Sequence, residues 1–273
     1  MTLGVTVPAT YLDRILDEHR AAAAADERDI GALAASAAEA PPVRGFRAAL
    51  VERSAAGELA VIAEVKRRSP SKGDLHPDLD PATVASRYEA GGAACLSVLT
   101  DATWFGGSAA DLAAARAAVR IPVLRKDFTV SERDVYDARL MGADAVLLIA
   151  AALSADELHR FHALAIDLGL DALVEVHDEA ELAKALAVGA ALIGVNQRDL
   201  VTFAVDTGRA ARLAGLMPTD VVRVAESGID GPLAAARLAS VGYHAVLIGE
   251  TLMRAGDRAS AVSELRTGAA LRS

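Results

Sequence analysis

Eight short apolar runs recur along this chain, their starts roughly 20 to 34 residues apart, and all but one end in polar or charged residues. They are VIAEVKRRSPSKG (61–73), CLSVLTD (95–101), IPVLRKDF (121–128), DAVLLIA (144–150), DALVEVHD (171–178), ALIGVNQRDL (191–200), VVRVAESGI (221–229) and HAVLIGETLM (244–253). Runs of this length, rich in β-branched residues, read as strands buried on both faces. Ala/Leu-rich segments such as DLAAARAAVR (111–120) and DEAELAKALAVG (178–189) lie between them and read as helices. The spacing is that of one strand plus one crossover helix. Eight such units within 273 residues predict a single α/β domain, a closed parallel (β/α)8 TIM barrel over residues 61–273. Residues 1–60 precede the first strand and form a helical extension packed on that barrel.

In barrels of this kind the chemistry sits at the C-terminal ends of the strands, which is where the polar residues fall. The first run carries Glu64 and Lys66, two residues apart and therefore on one face of a strand. Burying such a pair costs several kcal/mol before any attraction offsets it, so the pair reads as a site and not as a stabilising feature. Lys126 and Arg198 join Lys66 at the same rim, and Glu175 and Glu226 join Glu64. Alternation allows only one of Arg125 and Lys126 to point inward, and that one needs an anionic partner. A crowded ring of Lys and Glu pushes pKa values apart for acid and base work. Asn196 is suited to orienting a hydroxyl or carbonyl, and Asp101, Asp127 and Asp199 read as loop ties.

AESGI (225–229) and LIGETLM (247–253) put Ser227, Gly228 and Gly249 just after the last two strands. Backbone N–H groups there can approach an anion, and the loops after strands seven and eight are a common phosphate site in barrels. Glu250 is expected to offer its backbone to the phosphate while its side chain turns away. The Pro/Gly/Ser-rich loop 69–81 reads as a lid. Trp104 and Phe105 lie in the loop after strand two, either packing on an aryl substrate or anchoring that loop to the rim.

The other features exclude more than they assign. A net charge of −9 argues against nucleic acid or an anionic membrane as partner. The one cysteine, Cys95, reads as a small buried hydrophobe, and no disulfide framework is possible. With no leader-like segment and no apolar run of membrane-spanning length, a soluble cytoplasmic protein is expected, and a monomer. No histidine grouping has metal-ligand spacing, so no metal is expected. His19, His159 and His162 read as solvated helix faces, while His177, two residues beyond Glu175, could edge into the site. Tyr11, Leu12, Ile15 and Leu16 form an apolar stripe on a helix running from about Tyr11 through the alanines into GALAASA, and 46–57 reads as another helix ending at Gly57. The extension is either a plug over the bottom or side of the barrel or a cover that shapes its top.

Taken in order, VIAEVKRRSPSKG, LTDATWFGGS, VLRKDF, LVEVHDEAEL, IGVNQRDL, VAESGI and LIGETLM closely resemble the indole-3-glycerol-phosphate synthase family of tryptophan biosynthesis. The resemblance covers roughly residues 11–256, and EVKRRSPSKG is its most specific part. It implies a small-molecule substrate, an anthranilate-substituted deoxyribulose phosphate, that closes a pyrrole ring with loss of carbon dioxide and water and without any cofactor. By motif it implies Lys126 as general acid and Glu175 as base, with Lys66 pairing with a substrate anion and assisting dehydration and Glu64 positioning it. Asn196 and Glu226 are implied to bind substrate hydroxyls, with Arg198 near the top of the site. Ser69, Ser227, Gly228, Gly249 and the Glu250 backbone are implied to hold the phosphate. Motif alone leaves open how acid and base roles divide among Lys66, Lys126, Glu64 and Glu175. Gln197 stands where the family commonly has a second asparagine, and WFGGS departs from its usual strand-two loop. Two other readings compete. A phosphoribosylanthranilate isomerase-like barrel would need a catalytic cysteine at a strand's end, whereas Cys95 starts its strand. A non-catalytic sugar-phosphate binding barrel would lack the Lys/Glu ring.

Overall fold

The computed structural model describes residues 10–70 and 72–267. Eight parallel strands close on themselves: Ala60–Val65, Cys95–Leu99, Val123–Lys126, Ala145–Ile149, Asp171–Val176, Leu192–Asn196, Val222–Glu226 and Ala245–Ile248, called here strands one to eight. Ile62 of strand one pairs with Leu247 of strand eight on one side and Cys95 of strand two on the other, which shuts the barrel without an edge. The architecture is the (β/α)8 barrel that the periodicity predicted.

Strand alternation sorts each apolar run into two layers of core. Ala60, Ile62, Cys95, Leu124, Leu147, Leu173, Val224 and Leu247 fill the barrel interior. Val61, Ala63, Leu96, Val98, Val146 and Val174 point outward beneath the helices. Both faces are dry, which is why the strands read as continuous apolar runs. The inward positions one step further along the strands are Glu64, Lys126, Glu175, Asn196 and Glu226, so the interior turns from apolar to charged at the C-terminal end.

Three helices precede the barrel: α1 (Tyr11–Ala25), α2 (Ile30–Ala38) and α3 (Phe46–Ala55). The single helix expected from Tyr11 onward is interrupted at Asp26–Asp29. Arg28 bridges Asp26 and Asp137 there, at 2.6 and 2.7 Å, and the Asp29 carboxylate restarts the helix by accepting from Ala32 N at 2.8 Å. The extension covers more than one end of the barrel. Phe46 and Leu50 of α3 are fully buried within the interior cluster, and Cys95 Sγ points at Phe46 O at 3.6 Å, so α3 closes the N-terminal end. α2 leans on the side of the barrel through Leu33, Ala37 and Tyr136. α1 crosses the opposite end, with Ile15 buried and Tyr11 and Leu12 in the wall of the cavity there.

Asp144, at the start of strand four, ties the bottom of the barrel together. It is fully buried and accepts hydrogen bonds from Arg44 N, Val123 N and Arg116 Nη2 at 2.8, 2.8 and 2.9 Å. Asp144→Ala leaves a guanidinium and two backbone N–H groups without their acceptor. We expect a loss of about 3–5 kcal/mol in chemical denaturation, with active-site residues at the other end of the barrel unmoved. Among the described residues no helix is long and apolar enough to cross a membrane.

Candidate active site

A cavity of about 660 Å³ opens at the C-terminal ends of the strands. Glu64, Lys66, Ser69, Lys126, Glu175, Asn196, Arg198, Glu226, Ser227, Gly228, Gly249 and Glu250 all contribute to its wall. Residues scattered over nearly 190 positions of chain are thus brought together by strand register, as in Glu175 beside Gly194 and Asn196 beside Glu226, and by the segments that follow the strands.

The cavity floor is an ion cluster. Lys66 Nζ donates to Glu64 Oε1. Lys126 Nζ lies 3.5 Å from Glu175 Oε2, and Asn196 Nδ2 donates to Glu175 Oε1 at 3.1 Å. Arg125, the neighbour that alternation sets against Lys126, points away and pairs with Asp127 at 3.1 Å and Asp134 O. Burial works against the Lys126 charge, but the neighbouring glutamates, Glu175 foremost, outweigh it and raise its pKa, so it stays protonated. Burial also pushes Glu175 toward neutrality, yet Lys126, His177 and the Asn196 hydrogen bond bring it below the usual carboxylate range. Burial and the neighbouring Glu175 charge drive Glu226 well above that range. The two glutamates are therefore split into an ionised carboxylate and a protonated acid, as like charges in one dry site require.

Two glycines make room for this cluster. A Cβ on Gly249 would lie 2.2 Å from Glu64 Oε1 and 3.1 Å from Lys66 Nζ, and one on Gly194 would lie 2.1 Å from Glu226 Oε1. Gly249 thus has a steric role beside the Glu64–Lys66 pair as well as its position at the helix start. Ser227 and Gly228 both take left-handed φ values, 63° and 67°, and a non-glycine residue held there marks stored backbone strain. The Glu250 carboxylate stays at the rim, 3.1 Å from Arg254 and 3.9 and 4.0 Å from Arg198 and Lys72. Arg198 is held by its own loop, its backbone N–H donating to Asn196 Oδ1 and its guanidinium to Phe203 O. Part of the 69–81 loop is ordered as a short hairpin, Arg68–Ser69 against Gly73–Asp74, and Arg67 ties its far end through Leu79 O at 2.6 Å.

The roof is aromatic. Tyr11 of α1 meets Trp104 and Phe203 edge-on, at centroid distances of 4.9 and 5.3 Å. Trp104 therefore anchors the strand-two loop to α1, while its neighbour Phe105 faces the cavity.

His19 departs from the sequence expectation. Its side chain is 20% exposed, not a solvated face, and its Nε2 lies 2.8 Å from Asp101 Oδ2 and 4.0 Å from Asp127 Oδ1. The three ligating atoms lie within 4.8 Å of one another, a metal-ligand type of grouping that chain spacing did not show. Their oxygens are already engaged: Asp101 accepts from Trp104 N and Phe105 N, and Asp127 from Phe128 N, Thr100 and Arg125. The cluster serves to fasten α1 to the rim, beside Arg20, which pairs with Glu157 at 2.8 Å. No sequence signal could find His19, because its partner lies 82 positions away on another element. Gly194 was also missed, though a glycine inside an apolar strand is a sign of close approach.

A closed (β/α)8 barrel with lysines and glutamates ringed in a cavity at its strand ends is the frame of an acid–base enzyme acting on a small molecule. The model of the family "Indole-3-glycerol phosphate synthase" matches residues 12–265. An indole-3-glycerol phosphate synthase from Nocardioides sp. is 58% identical over 206 residues, 76% of this chain and 79% of that protein. Those from Hyphomonas neptunium and Mycobacterium ulcerans are each 48% identical, over 94% of this chain and 98% of the first and 95% of both chains for the second. The chain belongs to the indole-3-glycerol phosphate synthase family. Among solved structures, a thiamine phosphate pyrophosphorylase from Pyrococcus furiosus aligns with TM-score 0.57 at 17% identity, over 76% of this chain and 93% of that one, which shows a shared barrel fold and nothing more.

Proposed function

We propose how this cavity carries out the reaction that family membership assigns to the chain, formation of indole-3-glycerol phosphate by a carboxy-lyase of tryptophan biosynthesis. The substrate, 1-(2-carboxyphenylamino)-1-deoxyribulose 5-phosphate, brings a phosphate, a carboxylate, a ketone and an electron-rich ring. The aryl carbon attacks the ketone carbon, carbon dioxide leaves, and loss of water completes the pyrrole. No electrons are exchanged with an external carrier, so the sequence needs proton donors and acceptors and no redox cofactor.

The observation that carries the assignment is the split Lys126–Glu175–Glu226 cluster. Lys126, held protonated chiefly by the Glu175 carboxylate, is the general acid that protonates the ketone oxygen during ring closure. Glu175, held ionised, is the base for dehydration. The two are linked. Once Lys126 gives up its proton, the cation that lowers Glu175 is gone and the carboxylate becomes the stronger base that the next step requires. Glu226, protonated, and Asn196 are donors to substrate hydroxyls. Lys66, aligned by Glu64, pairs with the substrate carboxylate and assists dehydration. The phosphate lies at the far wall, on Ser69, Ser227 and the backbone of Gly228, Gly249 and Glu250, with Arg198 above it. The extension and barrel act as one domain, the chain acts as a cytoplasmic monomer, and its net charge of −9 speaks against nucleic acid as a partner.

A barrel isomerase is not favoured, since Cys95 is buried at the bottom beside Phe46 and not at the cavity, and a mere sugar-phosphate binder is not favoured, since Lys66, Lys126, Glu64 and Glu175 line that cavity. Purified chain mixed with the carboxyphenylamino-deoxyribulose phosphate is expected to develop indole fluorescence with one carbon dioxide released per turnover. Isomerisation or binding without carbon dioxide would overturn the assignment.

A further inference from the structure

His177 directly follows strand five, and its imidazole is 11% exposed at the side of Glu175. Asp178 caps the next helix by accepting from Glu181 N at 2.8 Å, which puts Glu181 one turn in. From there Glu181 Oε2 reaches back to His177 N at 2.8 Å and His177 Nδ1 at 3.0 Å. A carboxylate can only accept, so this contact fixes the proton on Nδ1. Nε2 is then left buried with no hydrogen-bond partner, 3.6 Å from Glu175 Oε1. A bare nitrogen lone pair facing a carboxylate oxygen is repulsive, whereas an Nε2–H facing it is attractive. The geometry leaves one favourable arrangement, an imidazolium between two carboxylates.

We propose that His177, oriented by Glu181, is a positioning residue that holds Glu175 ionised and aimed at the substrate by closing its Nε2–H on Glu175 Oε1. The proposal rests on the assignment of Glu175 as base and goes beyond it, since neither His177 nor Glu181 forms part of the cavity wall. Every charged group facing this imidazole enters the balance. Burial opposes its charge; Glu181 and Glu175 favour it; Arg209, which donates to Asn196 O from the element after strand six, opposes it. The net direction is upward, toward a protonated ring at neutral pH. Its consequence falls on Glu175, where burial is offset by Lys126 first, then by His177 and by hydrogen bonds from Asn196 and the protonated Glu226.

The test is the pH profile of kcat/KM in intact enzyme. Without the imidazolium, Glu175 keeps its proton to higher pH, so the acid-side fall in activity moves upward. An opposite charge at this distance shifts a carboxylate by about one to three units. His177→Ala is therefore expected to move the acid limb of kcat/KM upward by about one to three pH units, with about a tenfold loss per unit of displacement below the wild-type limb, while approaching wild type on the alkaline side. His177→Gln supplies an uncharged donor and leaves the acid limb displaced. Glu181→Gln displaces it by a smaller amount, and KM changes little in all three. An acid limb that stays in place in folded His177→Ala and Glu181→Gln, with rates lowered equally at every pH, would overturn the proposal. Glu175→Gln separates the two levels. If it abolishes indole formation while the histidine variants keep the wild-type profile, only the role of His177 fails. If it retains activity, the base assignment fails and the proposal with it.

Discussion

Lys126→Ala is expected to lower kcat by about 10²- to 10⁴-fold, the range of a lost general acid, with KM changed only a few-fold. The side chain is 17% exposed and held against Glu175 at 3.5 Å. Its ammonium faces Glu175, Glu226 and Glu64 from an inward strand position. Removing it takes away the proton donor for ring closure and, in the same stroke, the charge that keeps Glu175 ionised. The proposed phosphate contacts are assigned to the loops after strands seven and eight, so substrate binding is expected to be largely spared. Since ring closure precedes both losses, the variant is expected to give neither carbon dioxide nor indole-3-glycerol phosphate in a single turnover. Near-wild-type turnover would remove Lys126 from the acid role. Carbon dioxide release without indole would move it to dehydration.

The barrel was readable from the chain because two periodicities agree: apolar runs of strand length, and their return at the span of one strand and helix. The polar strand ends were readable for the same reason. Glu64 and Lys66 share a face because they are two apart, and alternation allowed only one of Arg125 and Lys126 to enter, which register makes Lys126. What could not be read is whatever depends on a partner far along the chain. The stripe Tyr11, Leu12, Ile15 and Leu16 announces a buried face, but not that this face roofs the cavity while Phe46 and Leu50 close the other end. His19 looks like any helix surface residue until Asp101 is found beneath it. Gly249 reads as part of an anion-binding turn and Gly194 carries no reading of its own; that each leaves space for a carboxylate follows only from the facing strand. The break at Asp26–Asp29 fails for a related reason. The alanines are good helix formers throughout, and the interruption is set by Arg28 reaching Asp137 on another helix.

Glu175→Gln is expected to reduce indole formation by about 10²- to 10⁴-fold and to do so at a different step from Lys126→Ala. Glutamine keeps the shape and the Oε1 acceptor for Asn196 Nδ2, so the cavity is preserved. It cannot take a proton. Glu226 responds to the change: burial still raises its pKa, but the Glu175 charge, the next largest cause, is gone. It ionises more readily and supplies Lys126 with a new counter-charge. The acid thus remains protonated and ring closure proceeds, while dehydration lacks its acceptor. In a single turnover the variant is expected to release close to one equivalent of carbon dioxide per site while indole fluorescence lags behind by at least two orders of magnitude. That uncoupling is the signature of an acid and a base acting in sequence on one substrate. If both products instead fall together, Glu175 acts at or before ring closure, and the two residues form a single proton-transfer unit in which neither works without the other.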